Sequence, residues 1–357
     1  MARRSLLEGL EDVCKVDVDE VDTDIIRSLP FTPHNQTSNQ AIITAELLKS
    51  GNEDFLKRLV AKYGESGWEM VYDMAAVHLC ARNVAHISER VLVQVSPRHV
   101  NNREAIIQQC HFFAKAFEDL GVPISRFAIK LPFSGSAASA ARDLQAEGIQ
   151  TLATAVFSLE QAIAANQAGC LLISPYYNEI AAHFDASLRH LVKDPALEHP
   201  MSACIIHILE MYAELYRETG KEPPIMVVAS HLNIAEILAM AELGCAHVTI
   251  NGHNLRVLIE SPDTLPQASI RKPKHPYAGF QTVERLKALS TKDSLTGPSW
   301  TRLSNTTDYI VNGGAKLDAF IRSDAFVGKR FHDAVKFFLE EEKKAKAAIE
   351  AIYALII

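Results

Sequence analysis

The chain lacks any apolar run of bilayer length, so no segment reads as a membrane span, which takes about 20 consecutive apolar residues. Its six cysteines (Cys14, Cys80, Cys110, Cys170, Cys204 and Cys245) are dispersed, without CxxC pairs or zinc-ligand spacing, and a reducing cytoplasm is the simplest setting for them. No HExxH pattern is present; His99, His207, His231 and His253 lie at unrelated positions, and no metal is expected. His207, flanked by Ile206 and Ile208, reads as a core histidine. A glycine-rich loop opening a helix is missing too, so no nucleotide cofactor is expected, and Gly313-Gly314 reads as a turn. Basic clusters are absent: 36 Lys and Arg against 43 Asp and Glu leave a net charge of -7, which argues against a nucleic-acid partner. The N-terminal stretch turns acidic at Glu8, Glu11 and Asp12 before an apolar segment of signal-peptide length can build up.

What is present is a chain of 357 residues, 48% apolar and 22% charged, enough for a sizeable core. Eight short β-rich runs, at 15–18, 36–39, 91–95, 127–131, 151–157, 171–176, 225–230 and 247–250, alternate with amphipathic stretches such as 54–63, 103–120, 136–147, 159–168 and 234–243. Runs such as Ile225-Met226-Val227-Val228-Ala229 are apolar without alternation, as parallel strands buried on both faces require. Eight strand-then-helix units predict the α/β class and a (β/α)8 TIM barrel over about 13–260. The stretch 199–217 predicts an additional long helix. An extension over 261–357 starts rich in Pro and turns helical from Arg330 to the end. That last helix is a candidate to close over the barrel mouth or to pair with a second copy as a homodimer. Its charge run Glu340 to Lys346 reads as a solvated face ordered for ion pairs.

Reacting groups in such barrels come from the C-terminal ends of different strands. Polar residues closing the apolar runs are Asp19 with Asp22, Asn39, Gln94, Lys130, Thr154, Ser174 with Tyr176, and Ser230. Lys130 stands out because it ends the run Phe127-Ala128-Ile129, where a solvated ammonium is out of place. Desolvation penalises the charged form, which favours a neutral amine fit for Schiff-base chemistry.

Several segments resemble the class I transaldolases and fructose 6-phosphate aldolases. Thr37-Ser38-Asn39-Gln40-Ala41-Ile42-Ile43 is similar to their TTNPSLI signature, and Phe127 to Pro132 resembles the segment that bears their Schiff-base lysine. Gly148 to Ser158 with Gln161-Ala162, then Ile173 to Asn178, then Ala229-Ser230 extend the likeness in order from about residue 15 to 255. The resemblance implies an imine between Lys130 and a ketose or ketone donor, Asp19 as acid and base, Asn39 and Ser174 holding donor hydroxyls, and Thr154 positioning a water. Asp22 is the alternative to Asp19, because the string Asp17 to Asp22 leaves the register open.

Departures from the pattern bear on substrate and outcome. Gln94 stands where transaldolases carry a proton-relaying glutamate, and a glutamine orients a water without taking its proton. Tyr176 replaces the usual Phe. Together with Thr154 they resemble the aldolase arrangement, in which the enamine is protonated, and pull the reading from transfer toward aldol addition and cleavage. Glu179 and Leu232 stand where the family places two phosphate-clamping arginines, and Leu152 where it often has an asparagine. An unphosphorylated, less hydroxylated donor is therefore expected, with Ser230, Glu179 and His231 as further substrate-binding candidates and Arg256 or His231 as candidates to rebuild an anion site. Two alternatives stay open: a pentose-phosphate transaldolase with a rewired phosphate site, and a non-catalytic relative that uses the barrel for binding.

Overall fold

The apolar runs form eight parallel strands, hydrogen-bonded in chain order and closed into a barrel by β1 against β8. They are β1 (Lys15–Asp19), β2 (Gln36–Thr37), β3 (Val91–Gln94), β4 (Phe127–Pro132), β5 (Thr151–Val156), β6 (Leu172–Pro175), β7 (Ile225–Val228) and β8 (His247–Asn251). The computed structural model describes residues 4–266, 275–293, 295, 301 and 303–356. With helices following the strands on the outside and a long C-terminal helix, the architecture is the expected (β/α)8 barrel.

Because side chains alternate along a strand, residues two apart share the barrel interior. Leu92, Ala128, Leu152, Leu172 and Val227 pack together as an apolar plug. Two residues further along their strands come Gln94, Lys130, Thr154, Ser174 and Ala229, the layer that opens toward the C-terminal face. At the opposite end the interior is ionic: Asp17 contacts His247 Nδ1 at 3.0 Å and accepts from Asn35, while Glu89 holds Lys15 at 3.0 Å. These contacts stitch the strand starts together.

Several strands stop earlier than their apolar runs. β2 ends at Thr37, because Asn39 turns to cap the helix Gln40–Leu47, its Oδ1 accepting from the backbone N–H groups of Ala41 (2.9 Å) and Ile42 (3.1 Å). β5 is interrupted at Ala155, whose φ of +54° shifts the register against β6, and β7 gives way at Ser230, with φ of +67°. Neither is glycine, so local sequence gives no warning of either conformation.

The long helix expected over 199–217 runs Pro200–Thr219, and the C-terminal helix begins five residues before Arg330, spanning Ala325–Ile356. The latter packs against the helix Gln40–Leu47 and the short helical turn Ile180–His183, both at the barrel mouth. The charge run is not wholly solvated. Glu340 pairs with Lys343, and Glu341 with Lys344, but Glu342 is buried and accepts from Ser96 Oγ (3.1 Å) and Arg98 Nε (2.9 Å) in the loop after β3. A run read by composition misses the one position per turn that faces inward. Among the described residues no helix is long and apolar enough to cross a membrane, and the six cysteines are buried and form no disulfide with one another.

Gly313 and Gly314 have φ of +71° and +86°, the turn expected there, and start the helical segment that packs on the helix Gly135–Ala146. A Cβ on Gly314 would lie 2.0 Å from the Gly135 carbonyl oxygen. Gly314→Ala is expected to cost about 2–4 kcal/mol, from left-handed strain plus a backbone clash, and to lower the denaturant midpoint accordingly.

Candidate active site

Lys130 ends its apolar strand run with the side chain directed into the barrel, 3% exposed. Its Nζ donates to Thr37 Oγ1 at 3.4 Å. Burial pushes the ammonium pKa below its usual value, and the neighbouring Asp19 carboxylate opposes the shift. Asp19, the last residue of β1 and on the same face as Asp17, opens partly on the cavity while its Oδ1 is buried without a hydrogen-bond partner. Desolvation raises its carboxyl to about 6 against the pull of Lys130, and Glu20 adds to the rise. The pair is thus poised so that each group holds the other's charge.

The alternative, Asp22, lies elsewhere: it caps the short helix Thr23–Arg27 and pairs with Lys49 at 2.7 Å. Register, ambiguous in the acidic string, is decided by β1 pairing with β8, which sets Asp19 beside Asn251.

A cavity of about 410 Å³ opens above the amine, lined by Asp19, Asn39, Lys130, Tyr176, Ser230 and His231 among others. With the Asn39 carbonyl oxygen engaged in its helix cap, the amide NH2 is left to donate. Gln94, Thr154 and Ser174 do not line this cavity; they share the Lys130 layer, Gln94 paired directly with Lys130 across β3 and β4 and Thr154 with Ser174 across β5 and β6. Thr154 Oγ1 donates to the Tyr176 phenol at 3.2 Å, and burial keeps that phenol protonated by raising its pKa. Gln94 is held against Gln40, with its own Oε1 buried and unpartnered.

The residues expected to rebuild a substrate site separate on inspection of their contacts. Ser230 lines the cavity, but its hydroxyl donates to the Asn178 carbonyl at 2.7 Å. Having spent its proton there, it accepts from His183 Nε2 at 2.9 Å, which fixes that histidine's tautomer. His231 is 4% exposed, with neither ring nitrogen hydrogen-bonded. Desolvation lowers it to about 3, and the nearby Thr249 backbone works against this without reaching hydrogen-bond geometry. A neutral imidazole therefore borders the cavity with both ring nitrogens buried. Arg256 is exposed on the helix Gly252–Glu260 and takes no part in the lining.

Glu179 requires a correction. Its carboxylate does not line the cavity; it pairs with Lys329 at 3.1 Å and Arg330 at 3.4 Å and so ties the C-terminal helix to the loop after β6. The charge reversal relative to a phosphate-binding arginine is a structural clamp here. Glu179→Arg, though it restores an arginine in sequence, is expected to destabilise the fold by about 3 kcal/mol, readable by denaturant unfolding, because it sets a third cation against two.

Sequence reading missed Glu236. Its carboxylate accepts from the Leu232 N–H and Asn178 Nδ2, both at 2.7 Å, and from Asn233 Nδ2 at 3.0 Å. The available signal was a helix-capping pattern, Asn233 with Glu236 three residues on. These donors lie in the loops after β6 and β7, and an internal carboxylate already occupies them. Also missed were Thr37, hidden in a two-residue strand, and Phe184, Phe337 and Phe338, which join the cavity wall only through the tertiary fold.

Two solved structures show a distant likeness. An IMP dehydrogenase/GMP reductase-like protein from Corynebacterium glutamicum is 13% identical with a TM-score of 0.39 over 66% of this chain and 62% of that one. The Amycolatopsis orientalis BexX/CysO complex is 18% identical with a TM-score of 0.30 over 48% of this chain and 60% of the other. The chain thus spans about three-fifths of the length of each. Residues 16–296, by contrast, match the family described as Transaldolase/Fructose-6-phosphate aldolase, from β1 through the whole barrel, and this match supports an aldolase-like function. The chain belongs to the transaldolase/fructose-6-phosphate aldolase family.

Proposed function

We propose that the protein is a Schiff-base enzyme that makes or breaks a carbon–carbon bond next to a ketone, using Lys130 as nucleophile and a donor without phosphate. The observation that carries this reading is Lys130 itself: a buried amine with a depressed pKa, beside a carboxyl raised to about 6, at the floor of an open cavity. The amine adds to the donor carbonyl and water departs, leaving an iminium. In the cleavage direction Asp19 takes the proton of the β-hydroxyl as the carbon–carbon bond breaks, and the bonding pair moves into the iminium to give an enamine and a free aldehyde. Protonation of the enamine carbon and hydrolysis then restore Lys130. Thr154 and the Tyr176 phenol hold the water for these steps, with Gln94 in the same layer; Asn39 and His231 contact donor oxygens. Ser174 supports the layer from β6. No cofactor enters these steps, and the protein works without nucleic-acid or membrane contact, in the cytoplasm.

Loss of phosphate recognition follows from two carboxylates. Glu179 is committed to Lys329 and Arg330, and Glu236 fills the donors after β6 and β7, so an anionic substrate tail finds no free guanidinium or backbone donors at these places. Borohydride reduction in the presence of hydroxyacetone is expected to add one reduced donor unit to Lys130, located by peptide mass spectrometry. An adduct that persists in Lys130→Ala, or forms on another lysine, places the reactive amine elsewhere.

A further inference from the structure

The wall of the Lys130 cavity facing the C-terminal helix carries no charge. Phe337 and Phe338 come from that helix, Ile180 and Phe184 from the segment after β6, and Ile42 from the helix after β2. The Phe184 and Phe337 rings lie 5.2 Å apart, and Phe337 touches Phe338 at 5.6 Å, so the aromatic surface is continuous from the cavity to the mouth. Phe184 is 72% exposed although it belongs to this wall. A large ring left in water beside a second ring, at the entrance of a cavity with a reactive amine on its floor, is a platform for an apolar group. The polar residues Asp19, Asn39 and His231 also border the cavity, so hydroxyl-bearing and apolar portions of a ligand find different partners.

We propose that the aldehyde partner of the Lys130 enamine carries an uncharged aryl or alkyl group, which seats against Phe184 and Phe337. This rests on the imine reading of Lys130 and names the acceptor class for the same site. The enamine carbon bonds to the aldehyde carbon, the carbonyl π pair moves to oxygen, and that oxygen takes a proton from Asp19 in its acid form. Water then adds to the iminium carbon and the Lys130 amine leaves, returning the water lost when the imine formed. The product is a β-hydroxyketone, and no oxidant or reductant is required.

Hydroxyacetone as donor, with phenylacetaldehyde, glyceraldehyde or glyceraldehyde 3-phosphate as acceptor, tests the assignment in the full-length chain. The wild type is expected to prefer phenylacetaldehyde over glyceraldehyde 3-phosphate by at least roughly tenfold in kcat/KM. Phe184→Ser, at a largely exposed position, is expected to lower kcat/KM for phenylacetaldehyde roughly tenfold through KM, with Phe337→Ser acting in the same direction. Borohydride trapping of hydroxyacetone on each variant separates the two layers of the reading. Adduct at Lys130 with an unchanged ratio of aryl to glyceraldehyde turnover overturns the subsite alone, as does a preference for the phosphorylated acceptor. A missing adduct in the wild type overturns the imine reading and the subsite with it. Were Phe184 instead covered by a second copy of the chain, Phe184→Ser would change the sedimentation coefficient and leave the acceptor ratio intact, which also overturns the proposal.

Discussion

Lys130→Met is expected to abolish turnover, lowering kcat by more than about 10⁴-fold, beyond the 10²–10⁴ that loss of one general acid or base costs. Methionine matches the apolar stem of lysine as far as Cε, with sulfur in place of Cδ, and lacks the nitrogen, so most of the cavity floor stays filled. Nothing else among the cavity residues replaces the nitrogen: His231 is a buried imidazole, and Asp19 cannot form an imine. The substitution also relieves the fold of an amine whose charged form is disfavoured by burial. The expected variant is therefore inactive, free of borohydride adduct, and at least as resistant to denaturant as the wild type. An inactive variant that is also unfolded would assign Lys130 to the core, and a folded variant with residual turnover above about one part in a hundred would place the nucleophile elsewhere.

The barrel was legible because its strands are buried on both faces, which writes each of them as an unbroken apolar run of the right length. Lys130 was legible for the same reason, as a charge at the end of such a run. What could not be read is whatever depends on direction. Glu179 looked like a substrate contact because it occupies a familiar place in the chain; its carboxylate swings to Lys329 and Arg330, 150 residues away, and only tertiary packing reveals that. Ala155, near the end of β5, and Ser230, just past β7, adopt left-handed backbone without the glycine that would announce it. The C-terminal helix was expected, but not that Phe337 and Phe338 complete the cavity, since a hydrophobic stripe on a helix carries no label for what it covers. Cavity-lining residues at or just past the strand ends, such as Asp19, Asn39, Lys130, Tyr176, Ser230 and His231, could thus be picked out from sequence, whereas Phe184, Phe337 and Phe338, brought by a more distant loop segment and the final helix, could not.

Asp19→Asn separates the two consequences of a carboxyl raised to about 6. For catalysis the amide is expected to cost about 10²–10⁴ in kcat/KM, since it can neither take the hydroxyl proton nor return it. The wild-type profile of kcat/KM in the cleavage direction should climb with pH through an acid limb near 6, where Asp19 ionises. Deprotonation of Lys130 acts with the same sign, so the limb belongs to the pair. The variant should lose the Asp19 part of that limb. For stability the sign is opposite. An aspartate that ionises near 3.8 when unfolded and near 6 when folded binds its proton more tightly in the native state, so its ionisation opposes folding. The penalty is absent below the unfolded value, grows as pH rises between the two, and is complete above the folded one. Asparagine never bears that penalty, and Asp19→Asn is expected to be more stable than the wild type at neutral pH by up to about 3 kcal/mol, with the gap closing below pH about 4. Because the carboxylate also steadies the Lys130 ammonium, removing it drives that amine further toward neutrality, which trims the gain without changing its sign. Urea titrations of both proteins across this range, beside their pH–rate profiles, read the two effects independently. A variant that is slower and also less stable above pH 6 would mean that Asp19 is held by native hydrogen bonds, and that its raised pKa has no part in the chemistry.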